Sequence, residues 1–329
     1  MVIDTHAHII VPEITRAAAP DEGWRPDVTW QGGRQVIDFG GKQLKSAVGE
    51  FVHIEAILEN QAAAGVDQVL LSPWSSILRY EADLDEALRC CDIQNEAIAR
   101  LAQAYPRQVS GLGAVPLQEP DLAERKLEEL MGEHGLYGVE ITSSVRGVYL
   151  GDDRFRPFWA AAEATGALVF VHPAMSGFNL PVLREYYLWN SVGNPLETTL
   201  TAAHMIMAGV MEAHPRLKVL LAHGGGAILS LRGRLRHAHS FQPQARARLS
   251  ESPEDSLKRF YFDTIAHDPD LLRSLVEYVG PEHVLLGSDY PFDMGVERPA
   301  QLVRALGLPP ADEAKILGGN AARLLNLEA

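Results

Sequence analysis

The chain has 329 residues, 43 of them acidic against 29 basic, for a formal net charge of −14, with 47% hydrophobic and 22% charged residues. This balance excludes binding to nucleic acid through general basicity and offers no basic stripe for a membrane; the composition is that of a globular protein long enough to bury a large core. The only cysteines, Cys90 and Cys91, make no disulfide framework, the apolar start is just Met1-Val2-Ile3, and no run approaches a membrane span, so a cytoplasmic protein is expected.

In chain order, short aliphatic runs alternate with longer amphipathic or alanine-rich stretches. The predicted strands are Val2–Asp4, Gln68–Ser72, Val109–Ala114, Gly138–Ile141, Leu168–Val171, Lys218–Ala222, Arg259–Asp263 and His283–Leu286. Predicted helices include Asp83–Ala104, Asp121–Glu133, Phe155–Thr165, Leu196–Ala213, Asp268–Tyr278 and Ala311–Leu325. Eight strands, each followed by a helix, fit a (β/α)8 TIM barrel better than an open sheet, with residues 1–329 as one domain. Two segments interrupt the alternation. Residues 11–48 hold a candidate β-hairpin after strand 1, with Gln31-Gly32-Gly33-Arg34 at its turn, placed as a flap over the barrel mouth. Residues 174–194 carry Phe178, Arg184, Tyr186, Tyr187 and Trp189, and a barrel puts this segment too at the catalytic face.

His6-Ala7-His8 follows the first strand run, and alternate residues of an extended chain point the same way. The tripeptide alone carries little weight, since His237-Ala238-His239 repeats it inside a helical, arginine-rich stretch where residues two apart diverge. Its company gives it meaning. His172 ends Leu168-Val169-Phe170-Val171, His223 ends Val219-Leu220-Leu221-Ala222, and Asp289 follows Val284-Leu285-Leu286-Gly287-Ser288. In a closed barrel these strand ends meet around one axis. Three imidazoles and a carboxylate suit Zn2+, with Mn2+ or Co2+ also compatible. One group of the five is then spare for proton transfer: His223 beside the metal, with Asp289 a ligand or a proton shuttle. Glu140 points into the barrel if Val139 and Ile141 face the helices, as a partner to a ligand.

The ordered elements Ile3-Asp4-Thr5-His6-Ala7-His8, Gly65-Val66-Asp67, Val115-Pro116-Leu117-Gln118, Val171-His172-Pro173, Ala222-His223-Gly224-Gly225-Gly226, Leu286-Gly287-Ser288-Asp289-Tyr290-Pro291-Phe292 and Gly319-Asn320-Ala321 run over nearly the whole chain. In them the chain resembles the amidohydrolase superfamily, and more narrowly the branch of aminocarboxymuconate-semialdehyde decarboxylase and related decarboxylases. The resemblance implies that His6, His8, His172 and Asp289 bind the metal, usually zinc, and that His223 activates water. It also implies a homodimer in which Arg234, counted from the glycine run, reaches the neighbouring site and binds substrate carboxylate. A second carboxylate-binding arginine is expected before the first long helix, but Gly41-Lys42-Gln43-Leu44-Lys45-Ser46 has none; Lys45 or Lys42 stands there, without arginine's bidentate fork.

The function expected is metal-dependent, non-oxidative decarboxylation of an unsaturated or aromatic carboxylic acid, with Trp74, Tyr187 and Trp189 flanking a flat substrate. The same groups could instead hydrolyse a lactone, amide or carbon–carbon bond, or hydrate a double bond. A catalytically dead barrel acting as a scaffold is the reading from another class.

Overall fold

A computed structural model describes residues 1–16, 18–19, 22–45, 52–173 and 180–327. Phe178 lies outside that set, as does the side chain of Lys42.

Eight parallel strands follow the chain: β1 (Ile3–Ile9), β2 (Gln68–Pro73), β3 (Val109–Gly111), β4 (Gly138–Thr142), β5 (Leu168–His172), β6 (Lys218–Leu221), β7 (Tyr261–Asp263) and β8 (Val284–Leu285). Pairing runs β1-β2-β3 and β4-β5-β6-β7-β8. Two single parallel bridges join these arcs, Gly113 to Val139 and Ala7 to Tyr290. The ring therefore closes in sequence order, the strand and helix arrangement of a TIM barrel.

Alternation along each strand builds two apolar layers. Leu70, Leu112, Leu168, Phe170, Leu220 and Leu285 fill the interior. Their neighbours Val69, Leu71, Val139, Val169, Val171 and Val219 pack outward against the helices. Because Val139 and Ile141 belong to the outer layer, Glu140 between them points inward, and it is fully buried.

The helices obey local signals. Leu84–Ala104 starts at Asp83, whose side chain accepts from Glu86 N at 2.9 Å, and turns Ala87, Cys90, Cys91, Ala97 and Ile98 to the core. Pro269–Val279 starts at Asp268, which accepts from both Asp270 N and Leu271 N. Two motif residues are structural ties: Asp67 Oδ2 accepts from Val2 N at 2.7 Å, and Asn320 Nδ2 donates to Val284 O at 2.8 Å. The stretch predicted as one helix over Leu196–Ala213 is two, Asn194–Met207 and Val210–Ala213, broken where Gly209 takes φ +72°. Among the described residues no helix is long and apolar enough to cross a membrane.

After β1, Asp27–Gln31 pairs antiparallel with Arg34–Phe39 across Gly32-Gly33, both at positive φ, the conformation of a tight two-residue turn. A third strand, Lys42–Lys45, pairs with Arg34–Phe39 and extends the expected hairpin to three strands.

Candidate metal centre

His6 and His8 lie inside β1, not beyond its end, and the β1–β2 register slips between Asp4 and Ala7. Such a slip re-aims side chains. His172 is the last residue of β5, His223 follows β6, and Asp289 follows β8. His223 and Asp289 sit at φ +57° and +59°, a backbone cost of about 1–3 kcal/mol each for residues with a Cβ. Neighbouring backbone bonds hold both in place: His223 N donates to Asp263 Oδ2 at 2.8 Å and Asp289 N to His6 O at 2.8 Å. The glycines around them are required by close approach. A Cβ on Gly226 would meet Pro195 O at 2.1 Å, and one on Gly287 would meet the Cβ of His6 at 2.9 Å.

The acceptors around the three buried imidazoles assign their tautomers. His6 Nδ1 faces Asp263 Oδ2 at 2.7 Å. His8 Nδ1 faces Glu140 Oε2 and Ser72 Oγ, each at 3.2 Å. His172 Nδ1 faces Ser75 Oγ and Pro173 O, each at 3.1 Å. With hydrogen on Nδ1, a neutral ring presents a lone pair at Nε2. These lone pairs converge. His6 Nε2 and His8 Nε2 are 3.1 Å apart, and Asp289 Oδ1 lies 3.1 and 3.4 Å from them. His172 Nε2 and Asp289 Oδ1 are buried without a hydrogen-bond partner. Ligand atoms of His6, His172, His223 and Asp289 all fall within 4.8 Å of one another. Inward-facing acceptors at such spacing repel unless a proton or a cation lies among them. The donor set fits a divalent ion of the zinc or manganese type.

Without an ion, protons fill that role. Burial works against a charged His6, yet Asp289 and Asp263 outweigh it and hold the ring up at about 10. His8 is likewise held at about 9, burial being outweighed by Glu140 and Asp289. Burial and the neighbouring rings keep His172 well below the ordinary histidine range. Asp289 stays well below the carboxylate range, as the imidazoles overcome its burial.

Above the centre opens a cleft of about 420 Å3, lined by His172, His223 and Asp289 at its base. Trp74, Phe292, Tyr187 and Trp189 supply aromatic walls, with Trp74 and Phe292 ring centroids 6.1 Å apart. The third strand of the insertion contributes Gln43, Leu44 and Lys45. His223 Nε2 lies 3.3 Å from Asp289 Oδ2, and its Nδ1 is buried without a partner.

The Amidohydrolase family model matches residues 3–327. The chain belongs to the amidohydrolase family. A 2-amino-3-carboxymuconate-6-semialdehyde decarboxylase of Dictyostelium discoideum is 34% identical over 266 residues, 80% of this chain and 74% of the relative. A gamma-resorcylate decarboxylase of Rhodococcus jostii is 25% identical over 98% of this chain and 97% of its own. The crystal structure of 5-carboxyvanillate decarboxylase from Sphingomonas paucimobilis superposes with a TM-score of 0.84 at 26% identity, covering 99% of both chains. A dihydroxybenzoic acid decarboxylase from Polaromonas, with bound manganese and 2-nitroresorcinol, has a TM-score of 0.80 at 20% identity, over 100% of this chain and 98% of its own. The named relatives are decarboxylases, carbon–carbon lyases of the same superfamily.

In this amidohydrolase the five residues singled out from strand ends are brought together, with Glu140 beside His8 and Trp74 and Trp189 in the cleft wall. Arg234 is not brought in: it lies exposed on Ile228–Phe241 and does not line its own chain's cleft. His237 and His239 lie on that helix too, His239 Nε2 bonding Leu249 O at 2.9 Å. One residue went unread. Asp263, fully buried at the end of β7, accepts from His6 Nδ1, His223 N, Gly224 N at 2.7 Å and Ile265 N at 3.0 Å. It fixes the His6 tautomer and anchors the loop that carries His223.

Proposed function

We propose that this amidohydrolase is a divalent-metal-dependent, non-oxidative decarboxylase of an aromatic or conjugated carboxylic acid. The observation that carries the reading is the convergence of outward-tethered imidazoles and Asp289 at the base of an aromatic-walled cleft. His6, His8, His172 and Asp289 would hold the ion, either Zn2+ or the manganese seen in the Polaromonas relative. When bound, the ion would anchor the substrate's oxygens and stabilise developing negative charge.

The chain's own residues do the rest. Trp74 and Phe292 line the cleft wall on which the substrate's ring would rest, orienting its carboxylate toward the metal centre. Loss of CO2 breaks the carbon–carbon bond between ring and carboxylate and leaves its electron pair on the ring carbon, which must take up one proton. His223 carries that proton, its ring oriented by Asp289 at 3.3 Å and its loop by Asp263. The three-stranded insertion acts as a wall over the mouth, and residues 1–329 work as one domain. Arg234 acts in the site of a second copy: its exposure on an outer helix that also shows Leu231 and Phe241 to solvent supports a homodimer.

The test is CO2 release. Metal-loaded protein is offered a panel of hydroxybenzoates and conjugated acids, with lactones and amides as controls. CO2 released in step with the decarboxylated product supports the reading. Turnover of lactones alone, with no CO2 from any acid, overturns it.

A further inference from the structure

We propose that Asn190 and Asn194 are a specificity-determining pair that recognises a neutral hydroxyl on the substrate's ring, apart from the oxygens held at the metal centre. This rests on the reading of the cleft as the substrate site. A second cavity of about 380 Å3 lies against the first, and Asn190, Asn194, His223 and Asp289 line both. The two asparagines therefore stand at the junction of the cavities, with the residues assigned to the chemistry. Asn190 belongs to the π turn Trp189–Gly193, and Asn194 opens the helix Asn194–Met207. Four residues apart on one continuous helical run, they share a face. A π turn within such a run is frequent at functional sites.

Both residues are half-buried, and among the described residues neither carboxamide has a hydrogen-bond partner. Their amide atoms are not sealed inside the protein either, so what they face is the space of the cavities. Three other neutral side chains of the cleft are already committed: Gln43 donates to Asp38, Ser75 bonds His172 Nδ1, and Thr142 donates to Ser144 O. A carboxamide offers N–H donors and a carbonyl acceptor and carries no charge, whereas the cations of the site are donors only. That holds for Lys45, for Arg79, which Glu81 and Glu86 engage, and for Arg234 arriving from a second copy. A ring hydroxyl both gives and takes a hydrogen bond, and two carboxamides can serve both functions. A carboxylate could use only their N–H groups. A methyl group would strip water from the amides and return no bond.

The experiment pairs each dihydroxybenzoate that has one hydroxyl at position 2 with the twin in which methyl replaces the other hydroxyl. Binding to the metal-loaded protein is measured by titration calorimetry for the wild type, Asn190→Ala and Asn194→Ala, with CO2 release read in parallel. A thermal melt checks each variant; Asn190→Leu or Asn194→Leu, of like shape, replaces one that fails to fold. In the wild type at least one dihydroxybenzoate should bind at least tenfold more tightly than its methyl twin. Each substitution should cut that ratio at least threefold, and added salt should leave it unchanged, because both twins carry the same charge. No isomer preferred over its twin, binding of none of the probes, a ratio abolished by salt, or a ratio that survives either substitution because both twins move together would overturn the proposal. A preference lost in the variants, with CO2 released from none of these acids, would sustain the pair and count against the decarboxylase reading instead.

Discussion

Asp263→Asn isolates the residue that sequence reasoning missed. The carboxylate accepts four hydrogen bonds, two on each oxygen: His6 Nδ1 and His223 N on Oδ2, Gly224 N and Ile265 N on Oδ1. An amide of the same shape has one acceptor oxygen and one donor nitrogen. If the amide oxygen keeps Gly224 and Ile265, its NH2 faces the His6 Nδ1–H and the His223 N–H. Two bonds to a charged acceptor are lost, at about 1.5–3 kcal/mol each, and two buried donors are left facing a donor. The lost bonds alone total about 3–6 kcal/mol. His6 can recover one bond by moving its hydrogen to Nε2, but that blocks the atom 3.1 Å from His8 Nε2 and from Asp289 Oδ1. The cost therefore appears twice, as a lower melting temperature and as metal affinity weakened by about 10–100-fold. Competition with a chromogenic chelator measures the second, and a melt of the metal-free protein the first. An Asp263→Asn protein with wild-type affinity and melting point would refute the tautomer argument.

Two further outcomes follow from the geometry. Metal uptake should be proton-coupled, since His6 and His8 are held at about 10 and about 9 in the metal-free site. Both are raised above the ordinary 6.5, so their contribution to metal-free stability is complete below that pH and is lost as pH rises through about 9 to 10. Apparent metal affinity should run the other way, rising about a hundredfold per pH unit between 6.5 and 8.5 because two protons leave for each ion bound; a flat profile by chelator competition would contradict it. Mixing inactive Arg234→Ala with inactive His223→Ala, after subunit exchange, should restore about a quarter of wild-type activity, because half of the dimers are mixed and each has one complete site. No recovery in dimers shown to have exchanged would place Arg234 in its own chain's site or outside catalysis.

The fold was legible because the barrel's interior and outer layers are both apolar, so each strand reads as a short run such as Leu168–Val171 or Val219–Ala222. His172, His223 and Asp289 were legible for the same reason, each standing where such a run stops. Asp263 was not. The predicted strand Arg259–Asp263 ends on it, but a lone carboxylate at a strand end carries no local sign of the groups it bonds. Its partners, His6 and the His223 loop, lie 257 and 40 residues away. The Arg79 cluster was hidden differently: Glu81 and Glu86 are close in sequence, but only the turn after β2, with Arg79 at φ +56°, folds them onto one guanidinium. The third strand of the insertion was hidden because Lys42–Lys45 is a short polar stretch whose pairing depends on Arg34–Phe39 lying beside it.

The division between metal holding and proton transfer is the centre of this account, and one variant tests it directly. His223→Ala, purified without chelators, should carry the same metal per chain by elemental analysis as the wild type while CO2 release from its acid substrate falls at least a thousandfold, roughly what loss of a positioned acid–base group costs. Loss of the metal together with the activity would make His223 a ligand, and retention of both would remove it from the chemistry.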